Sequence, residues 1–195
     1  MANIFIDFES TGVNPYTSEI IEGYFLKEDG SDFLMKCRPY KWSKEAERIH
    51  GIKKETADQY GSFKDEFRRL LKWLPKEFTF VCYANPNTDK GYVHYDYTLL
   101  YNSVHILFCH QLEKDDLWWS FRNEYKITPY SVHTLAKESH NNGNITVPLT
   151  IKAGNKKRSQ DFSQENIARI LGYEYKTHNC IEDVKALKFI YEELE

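Results

Sequence analysis

The sequence lacks the features that mark membrane, secreted and strongly basic proteins. No stretch reaches the roughly 18 unbroken apolar residues of a membrane span. Asp7 and Glu9 interrupt the first apolar segment, so no signal peptide is expected. The 26 lysines and arginines do not outnumber the 29 aspartates and glutamates, which excludes a histone-like coat of positive charge. The four cysteines are far apart and form no CxxC motif, so we expect free thiols and a cytoplasmic location.

The sequence does contain enough apolar material for a hydrophobic core. Apolar residues make up 41% of the 195 residues and aromatic residues 15%, which excludes general disorder. The length is typical of one domain, and neither an internal repeat nor a linker divides the chain. We therefore expect residues 1–195 to form a single domain.

The first part of the chain predicts strands and two helices. Three short apolar segments joined by turns indicate an antiparallel meander: residues 3–9, 19–26 and 33–38. Ser43 and Gly51 bound a short helix, and an amphipathic helix runs from Ser62 to Pro75. The β-rich segment 78–84 follows this helix, and a strand–helix–strand crossover would place it parallel to the first strand.

The second part of the chain predicts mostly helices. Residues 92–125 are expected to be largely helical. Residues 139–161 are polar, which is typical of a long loop or a small hairpin inserted into the domain. Ser163 begins a further helix that ends near Gly172, and a last helix follows residue 179.

Asp7 and Glu9 lie two residues apart on the first predicted strand, so their side chains point to the same face. Two carboxylates placed so close repel each other, and burial increases the cost. A divalent cation would reverse that balance, because carboxylate oxygens are preferred ligands of Mg²⁺ and Mn²⁺. The alternative is that one carboxylate lies at a frayed strand end in contact with solvent. The Asp-x-Glu pattern alone leaves both interpretations open.

Asp183 lies on the apolar face of the last predicted helix. The other positions of that helical stripe are 180, 184, 187, 190, 191 and 194, and all of them are apolar or aromatic. A carboxylate on such a face indicates a site, where His178 could accept a proton from water while Asp183 holds a metal. Alternatively, Asp183 is an acid of the first helical turn, stabilised by the helix dipole, and His178 is a surface residue.

Together these two segments resemble motifs of a known enzyme family. The sequence FIDFESTG at residues 5–12 resembles the first motif of the DEDDh exonucleases, which are DnaQ-like 3′-to-5′ exonucleases. The sequence HNCIED at residues 178–183 resembles the third motif, with its histidine and aspartate five residues apart. The order and separation of the two motifs match the family. The resemblance extends over nearly the whole chain, except for about residues 102–161.

The middle motif of that family supplies a further metal-binding aspartate at the start of a helix. Asp96 fits this motif, since Tyr95 precedes it and two leucines follow. Asp89 competes with it, because apolar residues follow at the same offsets. On one helix these two aspartates would be about two turns, roughly 10 Å, apart, so both cannot bind the same ions. We favour Asp96.

The resemblance implies an α/β fold of the ribonuclease H-like class. Its sheet would be mixed and five-stranded, with three antiparallel strands plus parallel strands, and helices would flank it. The implied activity is a metal-dependent 3′-to-5′ exonuclease that hydrolyses DNA or RNA from single-stranded 3′ ends to nucleoside 5′-monophosphates. Four acids would hold two Mg²⁺ or Mn²⁺ ions: Asp7, Glu9, Asp96 and Asp183. His178 would act as the general base.

The resemblance also implies contacts with the substrate. Phe8, Thr11 and Gly12 would lie near the terminal nucleotide, and Ile49 and His50 would contact the penultimate base. A polymerase or another nucleic-acid-processing protein is an expected partner. The alternative function is a catalytically weak, nuclease-like module that only binds nucleic acid. A purely structural domain would leave the acid on the last helix unexplained.

Overall fold

A mixed β-sheet forms the centre of the structure. The computed structural model describes residues 1–83, 95–110, 121, 123–151 and 158–195. The sheet strands in these ranges are β1 (Ala2–Ser10), β2 (Ile20–Lys27), β3 (Asp32–Lys36), β4 (Glu77–Cys82) and β5 (Lys126–Ser131). Their order across the sheet is β3-β2-β1-β4-β5. The first three strands pair antiparallel, whereas β4 is parallel to both β1 and β5.

Helices pack against this sheet. They are α1 (Lys44–His50), α2 (Lys54–Ala57), α3 (Phe63–Trp73), α4 (Tyr95–His110), α5 (Val132–Asn141), α6 (Gln164–Ile170) and α7 (Cys180–Leu194). A separate antiparallel hairpin consists of β6 (Leu149–Ile151) and β7 (Arg158–Gln160). None of the helices in the described ranges is long and apolar enough to cross a membrane.

The predicted capping residues set the ends of the first helices. The side chain of Ser43 accepts a hydrogen bond from the backbone of Ala46, and Ser62 does the same for Asp65. Gly51 ends α1 with a φ of 74°, a left-handed conformation that favours glycine. These caps place α1 beside the end of β1, where it forms one side of the site described below.

The two faces of β1 contribute to two hydrophobic cores. Alternate residues from Ile4 to Phe8 belong to the core beneath α3 and α4. Phe5 belongs to the core beneath α5, α6 and α7. Because side chains alternate along a strand, Asp7 and Glu9 lie on the side of Phe5. The strand therefore turns both acids toward the last helix.

Gly23 on β2 leaves room for the side chain of Phe8, the residue between Asp7 and Glu9 in the sequence. Gly23 pairs with Phe8, and a Cβ atom added at Gly23 would lie 2.5 Å from the Phe8 ring. The ring packs edge-on against Phe25, with centroids 5.6 Å apart. This close approach fixes the position of β1 where it carries Asp7 and Glu9.

The observed sheet confirms the predicted mixed, five-stranded α/β fold. The meander, the parallel crossover and the hairpin within 139–161 are also as predicted, although residues 139–141 still belong to α5. β5 and α5 are not predicted by the sequence patterns. Part of the predicted helical segment 92–125 lies outside the described residues.

Candidate active site

Three carboxylates converge where the end of β1 meets the start of α7. Asp7, Glu9 and Asp183 each offer one oxygen, and these oxygens all lie within 4.8 Å of one another. Glu9 is only 8% exposed, and a register shift in the β1–β2 pairing follows it directly. The same-face geometry expected for the Asp-x-Glu pattern is therefore present, and α7 adds the third acid.

Asp96 lies beside this cluster in the first turn of α4. The residue is 7% exposed, and its negative charge raises the pKa of Asp7. The backbone N–H of Phe8 forms hydrogen bonds that lower the pKa of both aspartates. The structure thus brings Asp96 next to Asp7. Asp89 lies outside the described residues, so the choice between the two candidates stays a prediction.

The four carboxyl groups are buried close together, and the pKa of each is raised above its ordinary value. Burial and the charges of Asp96, Asp183 and Glu9 raise the pKa of Asp7 well above its ordinary value. Burial, together with nearby carboxylates, raises the pKa of Glu9 to about 7. Burial likewise raises the pKa of Asp96 to about 7. A cluster of this kind keeps its negative charge at neutral pH only if a cation compensates it.

The donor set therefore fits divalent cations. All four side chains offer carboxylate oxygens, which are the ligands preferred by Mg²⁺ and Mn²⁺. The charged groups that act most strongly on Asp7 are three other carboxylates, and this repulsion is what a bound cation would relieve.

Asp183 is held in place by hydrogen bonds from its own neighbourhood. The backbone N–H of Asn179 donates to its Oδ2 atom at 2.8 Å, and the Tyr175 hydroxyl forms a second hydrogen bond to the carboxylate. Burial raises the pKa of Asp183, and both contacts oppose that shift. Gln164 donates to the Asp183 main-chain oxygen at 2.6 Å, which links α6 to the start of α7.

His178 is exposed in the loop immediately before the Asn179 cap of α7. Its backbone adopts a φ of 61°, in the left-handed region that is uncommon for residues other than glycine. The His178 side chain is close enough to Asp183 that a positive charge on the imidazole would lower the pKa of that carboxyl group. The loop thus presents an imidazole to solvent at the edge of the acidic cluster.

A cleft of about 560 Å³ opens beside Glu9, and we call it the Glu9 cleft. Four of the predicted substrate-binding residues line it: Phe8, Gly12, Ile49 and His50. Ile49 is 53% exposed, and the His50 Nε2 atom is buried without a hydrogen-bond partner among the described residues. Burial lowers the pKa of His50, so its ring is neutral at neutral pH.

Thr11 is not one of the residues that line this cleft. It is buried, and its hydroxyl accepts a hydrogen bond from the Glu19 backbone at 2.9 Å. Tyr95 also supports the turn after β1, because its hydroxyl donates to the Gly12 carbonyl at 2.5 Å. Both side chains hold the turn that forms the wall of the Glu9 cleft.

Three residues that act on the acids are not among those that the sequence motifs predict: Tyr175, Gln164 and Glu22. Glu22 pairs with Glu9 across β1 and β2, and its charge helps to raise the pKa of Glu9. The Tyr60 hydroxyl donates to Glu22 at 2.5 Å. The meander could have indicated Glu22 from its register, whereas the contacts of Tyr175 and Gln164 depend on how α6 and α7 pack.

Comparison with known proteins identifies the family. Residues 4–146 match the family model RNase_T, described as Exonuclease. The chain belongs to this exonuclease family, which confirms the predicted resemblance to DnaQ-like exonucleases of the ribonuclease H-like superfamily. By class it is a nuclease. His178 and Asp183 lie beyond the matched residues. A comparison with the sequences of curated proteins finds no match.

Several solved structures share the fold. One is the zinc-ion-bound form of an E. coli exonuclease I complex with single-stranded DNA, with a TM-score of 0.69 and 16% identity over 99% of this chain. Another is E. coli exonuclease I with a dT13 oligonucleotide, with a TM-score of 0.72 and 17% identity over 98% of this chain. A third is an exonuclease I complex with SSB-Ct, with a TM-score of 0.69 and 16% identity over 98% of this chain. This chain spans about 40% of the length of each of these three structures.

Proposed function

We propose that this chain is a metal-dependent 3′-to-5′ exonuclease of the DEDDh type. Its substrates would be single-stranded 3′ ends of DNA or RNA, and its products nucleoside 5′-monophosphates. The observation that carries the proposal is the convergence of Asp7, Glu9 and Asp183 within 4.8 Å, with Asp96 buried beside them. We further propose that residues 1–195 form one exonuclease domain.

The acids would hold two Mg²⁺ or Mn²⁺ ions. Ions in such a site supply Lewis-acid chemistry, which activates water and stabilises charge on the leaving oxygen. The protein's own contribution is orientation: β1 fixes Asp7 and Glu9 at one spacing, and the contacts from Tyr175 and Asn179 fix Asp183. Without these supports the acids would spread apart, because burial and mutual repulsion oppose their charged forms.

His178 would act as the general base. A neutral imidazole at the edge of the cluster can accept a proton from the attacking water at one of its ring nitrogens. Because the ring is exposed, it can then release that proton to solvent. The short loop between Tyr175 and Asn179 couples the position of the base to the carboxylate that Tyr175 contacts.

The Glu9 cleft would bind the 3′ end of the strand. The cleft is lined by Ile49, by the turn around Gly12 and by Glu9 itself. A terminal nucleotide placed there would bring its phosphodiester next to the acidic cluster. The structures of exonuclease I with single-stranded DNA support a single strand as the substrate. A duplex end would first have to fray, which costs a few kcal/mol of unstacking.

The test is incubation of end-labelled DNA and RNA oligonucleotides with Mg²⁺, Mn²⁺ or EDTA. We expect a 5′-labelled strand to yield a ladder of shorter labelled products with either metal and to stay intact in EDTA. Asp7→Asn should abolish the ladder while preserving the circular dichroism spectrum. Full activity in EDTA or in Asp7→Asn would refute the metal-dependent mechanism. Immediate release of a 5′ label as a mononucleotide would refute the direction.

The same assay separates the enzyme from a binding module without turnover. A module would retain oligonucleotide in a binding assay but give no ladder with any metal.

A further inference from the structure

A second cleft has a volume of about 440 Å³. Tyr83, which follows β4, and His133, which follows β5, both line it. Since β1, β4 and β5 are parallel, the cleft opens at the same sheet edge as the acidic cluster. Gln164 also lines it and donates to the Asp183 main-chain oxygen. We call this space the His133 cleft.

His133 is buried, and one of its two ring nitrogens has no hydrogen-bond partner among the described residues. The residue is 6% exposed, and the nitrogen in question is Nδ1. Its ring packs edge-on against Tyr83 at 5.7 Å and Phe162 at 6.2 Å between centroids. Burial and the charge of Lys137 lower the pKa of His133 to about 4, so the ring is neutral and can donate and accept. Buried polar groups are normally satisfied, and an unsatisfied one in a cleft indicates a ligand.

The other walls of the cleft offer complementary chemistry. Lys137 brings a positive charge, and its Nζ atom lies 5.8 Å from the centre of the Phe162 ring. Phe162 offers an aromatic surface to the same space. The lining also includes the polar side chains of Gln160 and Ser163 and the acid Asp161. The aromatic surface matches the base of one nucleotide, the cation matches its phosphate, and the neutral hydrogen-bonding ring matches the edge of the base.

We propose that the His133 cleft binds one nucleotide of the substrate strand, on the 5′ side of the two terminal nucleotides that the Glu9 cleft would contact. The base would pack against Phe162 and contact His133, and the phosphate would lie at Lys137. Both clefts adjoin the acidic cluster, because Glu9 lines one and Gln164, which lines the other, donates to the Asp183 main-chain oxygen. A strand whose 3′ end occupies the Glu9 cleft would cross the cluster before it reaches His133. The choice of a strand as ligand rests on the proposed function.

The test compares Lys137→Met and His133→Phe with Lys72→Met, a control on the exposed side of α3. His133→Phe keeps the aromatic contacts and removes the ring nitrogens, and Lys137→Met is a milder change in case the buried variant fails to fold. Fluorescence anisotropy in EDTA gives the Kd of labelled oligonucleotides without cleavage. We expect both cleft variants to raise the Kd of an oligonucleotide about eight residues long by roughly tenfold, because His133→Phe removes a hydrogen bond to the base and Lys137→Met removes a phosphate contact. The control and the Kd of a dinucleotide should not change.

Turnover separates this proposal from the exonuclease activity. With Mn²⁺, the cleft variants should raise KM for the longer strand and keep kcat. A protein that cleaves nothing but still shows the Kd difference would refute the proposed function and support the cleft. Equal Kd values in the variants and the control would overturn the cleft. A second result would also overturn the proposal: a free nucleoside monophosphate binds to the wild type but not to His133→Phe, while the Kd of the strand is the same in both. The ligand of the cleft would then be a free nucleotide.

Discussion

Two glutamates of this protein, Glu9 and Glu66, are buried to the same extent but have different neighbours. Glu9 is 8% exposed and Glu66 is 9% exposed. Glu66 accepts two hydrogen bonds from Arg69, at 2.7 and 2.9 Å. Glu9 instead faces Asp183, Glu22 and Asp96, and burial and these charges raise its pKa to about 7.

The difference distinguishes an acid whose charge the fold neutralises from an acid that the fold surrounds with further negative charge. Pairing with a cation is the usual solution for a buried carboxylate, and α3 provides it within one helical turn. Near Glu9 the fold gathers further negative charge, which destabilises the metal-free protein. Proteins retain such local conflicts mainly at functional sites.

The largest expected effect is the contrast between Glu9→Gln and Glu66→Gln. Glu9→Gln should lower kcat on the order of 10⁴-fold, because metal-ion catalysis contributes several kcal/mol. It should also raise the melting temperature in EDTA at pH 8, since it removes a negative charge that the neighbouring carboxylates repel. Glu66→Gln should leave kcat within about twofold and lower the stability by about 1 kcal/mol, the worth of a partly exposed ion pair. Similar kinetics in the two variants would show that Glu9 and Glu66 do not differ in their role.

A smaller loss, on the order of 10³-fold in kcat, is expected for Asp96→Asn. Asp96 stands beside the three closest acids and, in the proposed mechanism, would contribute a fourth ligand. Asp89→Asn is the matched variant and should keep most of the metal-dependent hydrolysis. A reversed pattern would transfer the role to Asp89. Full activity in both variants would show that neither carboxylate is an essential ligand.

His178→Ala should reduce kcat by roughly 10²-fold, the lower end of the usual worth of acid–base assistance. Water can replace part of its role because the ring is exposed. The rising limb of the pH–rate profile should disappear, while the Kd for substrate changes little. His105→Ala, which alters an exposed histidine on α4, serves as the control. An unchanged limb in His178→Ala would exclude this residue as the base.

A further effect is on the pH dependence of stability. The folded protein keeps protons on Glu9 and Asp96 up to about pH 7, whereas the unfolded chain releases them near pH 4. The native state therefore binds more protons in that window, and the stability of the metal-free protein should fall as the pH rises through it. Urea unfolding in EDTA at pH 5 and pH 8 measures the fall, and Glu9→Gln should reduce it. Mn²⁺ should stabilise more strongly at pH 8, because it binds the ionised acids. A flat dependence in EDTA would contradict the raised pKa values.

Much of the fold was predictable because local signals agree with the tertiary structure. Ser43 and Ser62 cap helices as expected, and the apolar segments of the meander form strands. β5 escaped prediction because it is an edge strand in which two of the six positions are exposed and only one is buried, and Pro129 lies within it. α5 follows β5 without a loop, so no turn signal separates the two.

The site was predictable to the extent that its residues share a strand or a helical face. Asp7 and Glu9 follow from strand alternation, and Asp183 from an interrupted apolar stripe. The approach of Asp96 to Asp7 could not be derived from spacing, because it depends on how α4 packs on the sheet. The same holds for the contact of Tyr175 with Asp183 and for the His133 cleft, whose walls come from three separated segments.

The acids of the cluster lie far apart in the sequence, and this spacing has a consequence for biosynthesis. A ribosome completes β1, with Asp7 and Glu9, long before it reaches Asp183 on α7. We expect a nascent chain that stops before α7 to bind Mn²⁺ weakly and to leave nucleic acid intact, including its own messenger. Stalled chains released before and after α7 can be compared for Mn²⁺ affinity. The order of translation would thus delay the nuclease until its last ligand has folded onto the sheet.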